Sequence, residues 1–254
     1  MIESELLFTH VLGCDRVSLY LNKDNFLTSN QAMLISSSLE RRIKGEPLQY
    51  ILGKTEFMGL EFRVNSQVLI PRPETEILVE AAIKYAKGKK ILDLGTGSGC
   101  IAVSVAKKSS AVDVTAVDIS KDALDIAEDN AKLNGVKVRF LEADFFKGLF
   151  TKYDLIISNP PYIPFDEIKS LQPELKYEPF VALDGGRDGL ESYKKIIKEA
   201  PDYLEDNGIL MMEMGFNQRK YIEVIFSGVK CFDIIEIIKD YNNIDRVIVA
   251  KKGR

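Results

Sequence analysis

The chain has little of what many catalytic and binding chemistries depend on. It holds a single histidine, His10, placed in an expected N-terminal helix far from every motif, so a histidine general base is not expected. Its three cysteines, Cys14, Cys100 and Cys231, are far apart, odd in number and form no C-x-x-C. That pattern predicts reduced thiols in a cytoplasmic protein and no metal site. No signal peptide and no apolar run long enough to cross a bilayer are found, so no membrane partner is expected. Positive charge is not in excess either. The formal net charge is −4, whereas a dedicated DNA binder is more often basic, so no direct DNA binding is expected. Internal repeats and low-complexity tails are absent. What is present is 254 residues with 46% apolar and 28% charged content, enough for one large or two unequal domains with a sizeable core.

The most informative segment is Asn159-Pro160-Pro161-Tyr162, directly after the apolar run Tyr153–Ser158. Neither proline carries an N–H, and both have fixed φ. Asn159 precedes a proline and is held extended. The Pro160 carbonyl and the Asn159 side-chain oxygen then make two acceptors suited to one –NH2 group, with Tyr162 placed to stack on the flat group that bears it. Taken alone, the tetrapeptide also fits a proline-terminated strand running into a loop.

A second anchor lies about sixty residues upstream. Ile91-Leu92-Asp93-Leu94 reads as a short strand, Gly95-Thr96-Gly97-Ser98-Gly99 as a glycine turn, and the segment from Cys100 as a helix start. Such a βα unit approaches nucleotide-like ligands closely. The third glycine comes one residue too early for a dinucleotide fingerprint, and no Lys-Ser/Thr ending marks a Walker loop. Asp93, before the turn, suits a cationic amino group better than a pyrophosphate. Asp118, ending the next strand, is placed for two ribose hydroxyls, with Ile119 beside it for a base. Asp144, after the following strand, is placed to accept from an exocyclic amine, and Phe145 adds apolar surface. Any one of these acids also fits a solvated loop. Three at successive strand ends beside a glycine turn are hard to ascribe to chance.

This combination resembles class I S-adenosylmethionine (AdoMet)-dependent methyltransferases over roughly residues 72–254. The Asn-Pro-Pro-Tyr element narrows the resemblance to enzymes that methylate amino or amide nitrogens: the adenine-N6 DNA enzymes and the protein-glutamine N5 enzymes of the PrmC/HemK type. Glu46–Gly53, Leu69–Glu76, Tyr177-Glu178-Pro179, Ala182–Leu190 and Glu213–Gln218 match the second group in order. The resemblance implies transfer of a methyl group from AdoMet, leaving S-adenosyl-L-homocysteine, to the glutamine of the Gly-Gly-Gln tip of class I peptide chain release factors, an event of translation termination. It implies that Gly95, Thr96, Gly97, Gly99, Asp118, Ile119, Asp144, Phe145 and Asn159 bind the cofactor, that Arg72, Pro73 and Thr75 close over it, and that Asn159, Pro160, Pro161 and Tyr162 receive the substrate. An adenine-N6 methyltransferase, which needs a flipped base, and a non-catalytic protein on the same fold stay open as alternatives.

The expected fold is α/β: a Rossmann-like, doubly wound, seven-stranded sheet with an antiparallel last strand. Strands are predicted at 91–94, 112–117, 138–142, 153–158 and 208–213, with a closing hairpin from 231–239 and 245–250. Helices are predicted at 99–107, 120–134, 191–204 and 217–227. Ahead of the sheet, residues 1–48 read as a helical module, either an extension packed on the catalytic domain or a docking module for a protein substrate. Residues 49–71 read as a β-hairpin linker in which Leu60, Phe62 and Val64 alternate and Val68-Leu69-Ile70 follow a polar turn. Residues 72–254 form the catalytic domain. The stretch 159–190 has little helical or strand pattern and is expected to wall or cover the substrate pocket.

Overall fold

The computed structural model describes residues 2–253. Four helices come first: α1 (Glu3–Leu12), α2 (Arg16–Leu21), α3 (Ser29–Ile43) and α4 (Leu48–Leu52). Thr28 caps α3 in a capping box with Gln31. Leu7, Ile35 and Leu48 make a small core of their own. A single carboxylate organises this module, because Glu5 is buried and accepts from Arg16 at 3.1 Å and from Tyr20 at 2.5 Å. The helix α4 crosses the boundary expected after residue 48. Leu48 and Leu52 pack with the helical module, while Tyr50 packs with Val64, Val68 and Ile70 of the linker.

The linker differs from expectation. Its hairpin is β1 (Lys54–Phe57) with β2 (Leu60–Arg63), and Val68–Ile70 is not a strand. Met58 and Gly59 both take positive φ (54° and 69°), the backbone of a tight two-residue hairpin turn. A methionine at such a φ gives no turn signal in sequence, which is why the hairpin was expected one turn too late. Val68 and Ile70 are buried nonetheless, after a turn in which Val68 N donates to Asn65 O at 3.2 Å, and pack against Ala123.

The sheet domain runs α5 (Pro73–Tyr85), β3 (Lys90–Leu94), α6 (Cys100–Lys108), β4 (Asp113–Asp118), α7 (Lys121–Leu133), β5 (Arg139–Glu142), β6 (Tyr153–Ser158), α8 (Phe165–Ile168), a 3-10 turn (Pro173–Tyr177), α9 (Phe180–Leu183), α10 (Glu191–Tyr203), β7 (Leu204–Glu213), α11 (Arg219–Ser227), β8 (Phe232–Lys239) and β9 (Asp245–Lys252). The strand order is β5-β4-β3-β6-β7-β9-β8. Pairing is parallel as far as β7, and β9 runs antiparallel to both its neighbours. One core joins the sheet to α5 and α6, and a second lies on the opposite face under α10 and α11. The expected strands and helices of this domain recur within a few residues. β7 starts earlier than expected, at Leu204, through an irregularity opposite Tyr153–Leu155.

The order of strands reverses between β3 and β6, and ligands of open α/β sheets bind at such a switch point. Leu94 and Ser158 are register partners there, and the Ser158 hydroxyl donates to the Leu94 carbonyl at 2.8 Å. Segments far apart in sequence therefore leave the sheet side by side. The stretch 159–190 is not irregular as expected but holds three short helical turns, each opened by a proline: Pro164 before α8, Pro173 at the start of the 3-10 turn, and Pro179 before α9. Proline suits a helix start because its missing N–H would find no intrahelical partner there. Turns of four or five residues are too short to leave a periodic signal. No helix of the described residues is long and apolar enough to cross a membrane.

Candidate active site

The glycine turn leans on the end of β4. The N–H groups of Gly95 and Thr96 both donate to the Val117 carbonyl at 2.9 Å. Gly95 and Gly97 take positive φ (70° and 54°), and a Cβ on either would meet no atom within 4 Å. Both face a cavity, so glycine serves the backbone conformation and leaves room for a ligand. Gly99 is different. It caps α6 at φ 79°, and a Cβ there would lie 3.0 Å from that of Ala127, so it is needed for the packing of α6 on α7.

Asp93 is fully buried below this turn. One carboxylate oxygen accepts from the Thr96 hydroxyl at 2.6 Å and from the Ala102 N–H at 3.2 Å, and the other has no partner among the described residues. Burial pushes its pKa up to about 7, against those two hydrogen bonds. Asp93 and Thr96 thus brace the turn from beneath. Asp118 braces it from the side, with one oxygen accepting from Gly97 N at 2.8 Å and the other from Ser120 N at 2.9 Å. Each oxygen keeps a lone pair, and the residue lines the cavity.

Ile119 and Phe145 line the same cavity, and Ile119 is 55% exposed, an unusual apolar surface unless something covers it. Phe145 takes positive φ (53°). Strain in a non-glycine residue of this kind concentrates at functional sites. Asp144 lines the cavity too, but one of its oxygens is engaged by Lys195 at 2.6 Å, and that lysine sits 5.1 Å over the Phe145 ring.

The tetrapeptide closes the other side. Asn159 lines two adjoining cavities: the one above, with Gly97 and Asp118, and a second with Leu69, Arg72, Pro160 and Tyr162. The Asn159 amide nitrogen donates to the Thr75 hydroxyl at 3.2 Å, which leaves the amide oxygen as its free acceptor. No backbone donor among the described residues occupies the Pro160 carbonyl. Tyr162 is held through its backbone. Its carbonyl accepts from Gln218 Nε2 at 2.9 Å, a nitrogen that also donates to Gly189 O at 3.2 Å. Gly185 and Gly189 approach so closely that a Cβ would lie 2.8 Å and 2.5 Å from Tyr162 backbone atoms. Burial pushes the Tyr162 phenol up to about 12, so it stays protonated.

The segment 179–184 forms the outer wall, through Pro179, Val181, Ala182 and Asp184. It is fastened to the opposite rim by an ion pair between Arg72 and the buried Glu178 at 2.5 Å. Arg42 of α3 reaches Glu174 at 3.2 Å, which links the helical module to this wall.

Most residues expected at the site meet there. Thr96, Gly99, Pro73 and Thr75 stand behind the lining instead. Thr75 is 2% exposed and sits on the buried stripe of α5 with Leu78, Val79 and Ala82, one helical face. Sequence reasoning assigned no role to Asn130, which is fully buried and ties the linker to the glycine turn by donating to Arg63 O at 3.0 Å and Ser98 O at 2.9 Å. Its one signal is a polar residue on the otherwise apolar face of α7, with Ala123, Leu124, Ala127 and Ala131. Glu213 and Gln218 carried no signal beyond their motif, since their partners lie in other segments. No cluster of metal-ligating side chains exists among the described residues.

Comparison with known proteins places the chain in a family. The PrmC N-terminal domain model matches residues 1–53, and the methyltransferase small domain model matches residues 73–172. A release factor glutamine methyltransferase of Thermodesulfovibrio yellowstonii is 44% identical over 99% of this chain and 92% of its own length. The one of Geobacter sulfurreducens is 44% identical over 99% and 89%. A solved methyltransferase from Pyrococcus furiosus, 21% identical, shares the fold with a TM-score of 0.61 over 89% of this chain and all of its own. The first two matches span the helical module, the linker and the sheet domain, and at 44% identity over 99% of its length the chain belongs to the release factor glutamine methyltransferase family.

Proposed function

We propose that the two cavities meeting at Asn159 hold AdoMet on the glycine-turn side and the tip glutamine of a class I release factor on the Tyr162 side. The reaction is transfer of the methyl group to the glutamine side-chain nitrogen, N5, with S-adenosyl-L-homocysteine as the second product. AdoMet supplies a methyl carbon already activated by its sulfonium.

The residues of the chain bind and orient. Gly95 and Gly97 let the backbone come close to the cofactor. Asp118 has one free lone pair on each oxygen for the ribose hydroxyls, Ile119 and Phe145 supply apolar faces for the base, and Asp144 lies at its edge. Arg72 belongs to the rim, with the Arg72–Glu178 pair keeping the wall in place, and Pro73 stands behind it at the start of α5.

A glutamine amide nitrogen is a poor nucleophile because its lone pair is delocalised. Two acceptors, Asn159 Oδ1 and the Pro160 carbonyl, take its two N–H groups, favour positive charge developing on nitrogen and turn its lone pair toward the methyl group. This is electrostatic preorganisation, aimed at charge that appears only in the transition state. Holding the reacting atoms in line at about 3–3.5 Å removes several kcal/mol of barrier. No base is needed before transfer, because the nitrogen becomes acidic as the bond forms, and this is compatible with a site that contains no histidine. Tyr162, kept neutral, covers the flat amide.

The helical module, residues 1–48, is the docking part. Leu21, Phe26, Met33 and Leu34 leave apolar side chains exposed on it, and its contact with Glu174 sets it beside the wall of the pocket. The expected compartment is the cytoplasm.

The observation that carries this reading is the position of Asn159 between the cavities, with its nitrogen occupied and its oxygen free. Its test is methyl transfer from labelled AdoMet to purified release factor. Asn159→Ala is expected to reduce transfer at least about 10²-fold, with AdoMet affinity nearly unchanged. Replacing the tip glutamine should abolish labelling. Transfer to DNA in a parallel reaction, with none to protein, would refute the assignment of substrate.

A further inference from the structure

An asparagine amide is nearly symmetric in shape but not in chemistry. Only with its oxygen toward the substrate can Asn159 accept from a glutamine N–H; turned over, it would present a donor to a donor. Something must therefore fix which end faces the pocket. Among the described residues the Thr75 hydroxyl is the one partner of Asn159 Nδ2, at 3.2 Å. A hydroxyl can donate or accept, so Thr75 fixes the amide only if its own proton is directed elsewhere. Glu213, at the end of β7 against which α5 packs, is the carboxylate that the Thr75 hydroxyl acts on, holding its pKa down. The β6–β7 register pairs Ser158 with Met212, which puts Asn159 and Glu213 side by side one residue further on. Glu213 is 1% exposed, and one of its oxygens has no partner among the described residues.

We propose that Thr75 and Glu213 are positioning residues for the transfer: the ionised Glu213 accepts a hydrogen bond from the Thr75 hydroxyl, Thr75 in turn accepts from Asn159 Nδ2, and Asn159 Oδ1 is left facing the substrate nitrogen. The inference rests on the reading of Asn159 given above. It assigns a task to the Glu213–Gln218 motif as well, since one end of that segment orients Asn159 while the other, through Gln218, holds the Tyr162 carbonyl.

Polarity of the chain depends on the charge of Glu213. A protonated carboxyl becomes a donor. Thr75 can then donate to the amide oxygen of Asn159, and the amide is free to turn over. Burial raises the Glu213 pKa to about 7, opposed by the Thr75 hydroxyl, Arg246 of β9 and Arg72, and reinforced by Glu74 of α5. Tyr162, Tyr193 of α10 and Cys100 of α6 also face it, all three with pKa values raised by burial and neutral in this range. Activity should therefore have an acid limb set by Glu213.

The test compares Thr75→Val, Thr75→Ser and Glu213→Gln with the wild-type enzyme, reading kcat on release factor, AdoMet affinity and the pH profile of kcat. Thr75→Val keeps the side-chain volume and is expected to lower kcat about 10²-fold, with AdoMet affinity within a few fold. Thr75→Ser should recover most of the loss. Glu213→Gln should remove the acid limb. A Thr75→Val enzyme with wild-type kcat, or a Glu213→Gln enzyme with an unchanged acid limb, would overturn the proposal. If Thr75→Val does not fold, the Glu213→Gln profile decides alone. A wild-type enzyme that labels no release factor would instead sink the underlying reading of the site.

Discussion

Asp118 shows how much one side chain is asked to do. Its two oxygens brace the glycine turn and the start of α7 through Gly97 and Ser120, and its remaining lone pairs face the cavity. Burial raises its pKa, while the N–H groups of Ser120, Gly97 and Ile119 oppose that shift and keep the carboxylate usable. Hydrogen bonds to a charged group are worth about 1.5–3 kcal/mol each. Asp118→Ala should therefore weaken AdoMet binding by roughly 10-fold to 100-fold, measured by calorimetry, with kcat at saturating AdoMet much less affected. Unchanged affinity with collapsed kcat would place the carboxylate on the chemical step instead. Asp93 belongs to the same turn but acts from below, and that geometry gives it a bracing task, not a lining one.

Among the elements, the segment 179–190 and the motif at the end of β7 clamp one loop. Three glycines, Gly185, Gly189 and Gly215, let these strands of chain pass within touching distance of Tyr162. Gly189 has φ +73°, and a Cβ there would lie 2.5 Å from the Tyr162 carbonyl oxygen and 2.9 Å from Gln218 Nε2. Gly189→Ala is expected to displace that carbonyl and cut kcat on release factor by an order of magnitude or more. AdoMet affinity should change little, because Gly189 does not line the cavity of the glycine turn. Gly148→Ala is the control. Gly148 also has positive φ, at 82°, but a Cβ there meets nothing within 4 Å, so only the backbone cost of about 1 kcal/mol is expected. If the two variants lose kcat equally, the clamp is not what matters. The periodicity of α7 or α10 could be read in the sequence because one face of each meets the sheet. The clamp could not, since each of its glycines answers to a neighbour from a distant segment.

For the whole molecule, the buried carboxyls Asp93 and Glu213 link stability to pH in an uncommon direction. Both have folded pKa values raised to about 7 by burial, above the ordinary value near 4. Between those limits the folded state binds more protons than the unfolded one, so stability falls as pH rises through that range and levels off above it. Groups with lowered pKa values, such as Glu46 beside Arg41 and Asp188 beside Lys194, act oppositely but only at lower pH, near their own titrations. The Tm should therefore be higher near pH 5 than near pH 8, and Asp93→Asn or Glu213→Gln should flatten that fall; a wild-type Tm that rises across this range would contradict it. Stability and activity then run in opposite directions, because the ionised Glu213 that costs stability is the form that orients Asn159.

The fold class was legible in the sequence because the alternation of apolar strands, turns and amphipathic helices is a local property of each segment. So were the glycine turn and Asn159-Pro160-Pro161-Tyr162, whose chemistry is written in adjacent residues: fixed φ, missing N–H groups and permitted positive φ. Which segments would meet was a different matter. The β3–β6 pairing brings the two motifs together, the Met58–Gly59 turn shortens the linker hairpin, and α5 carries Thr75 beneath Asn159. Hydrogen bonds between remote segments, and the burial that sets the charge of Glu213, come into being only when the sheet closes. Residue identity determined the chemistry available to this protein; packing decided which atoms of those residues face one another.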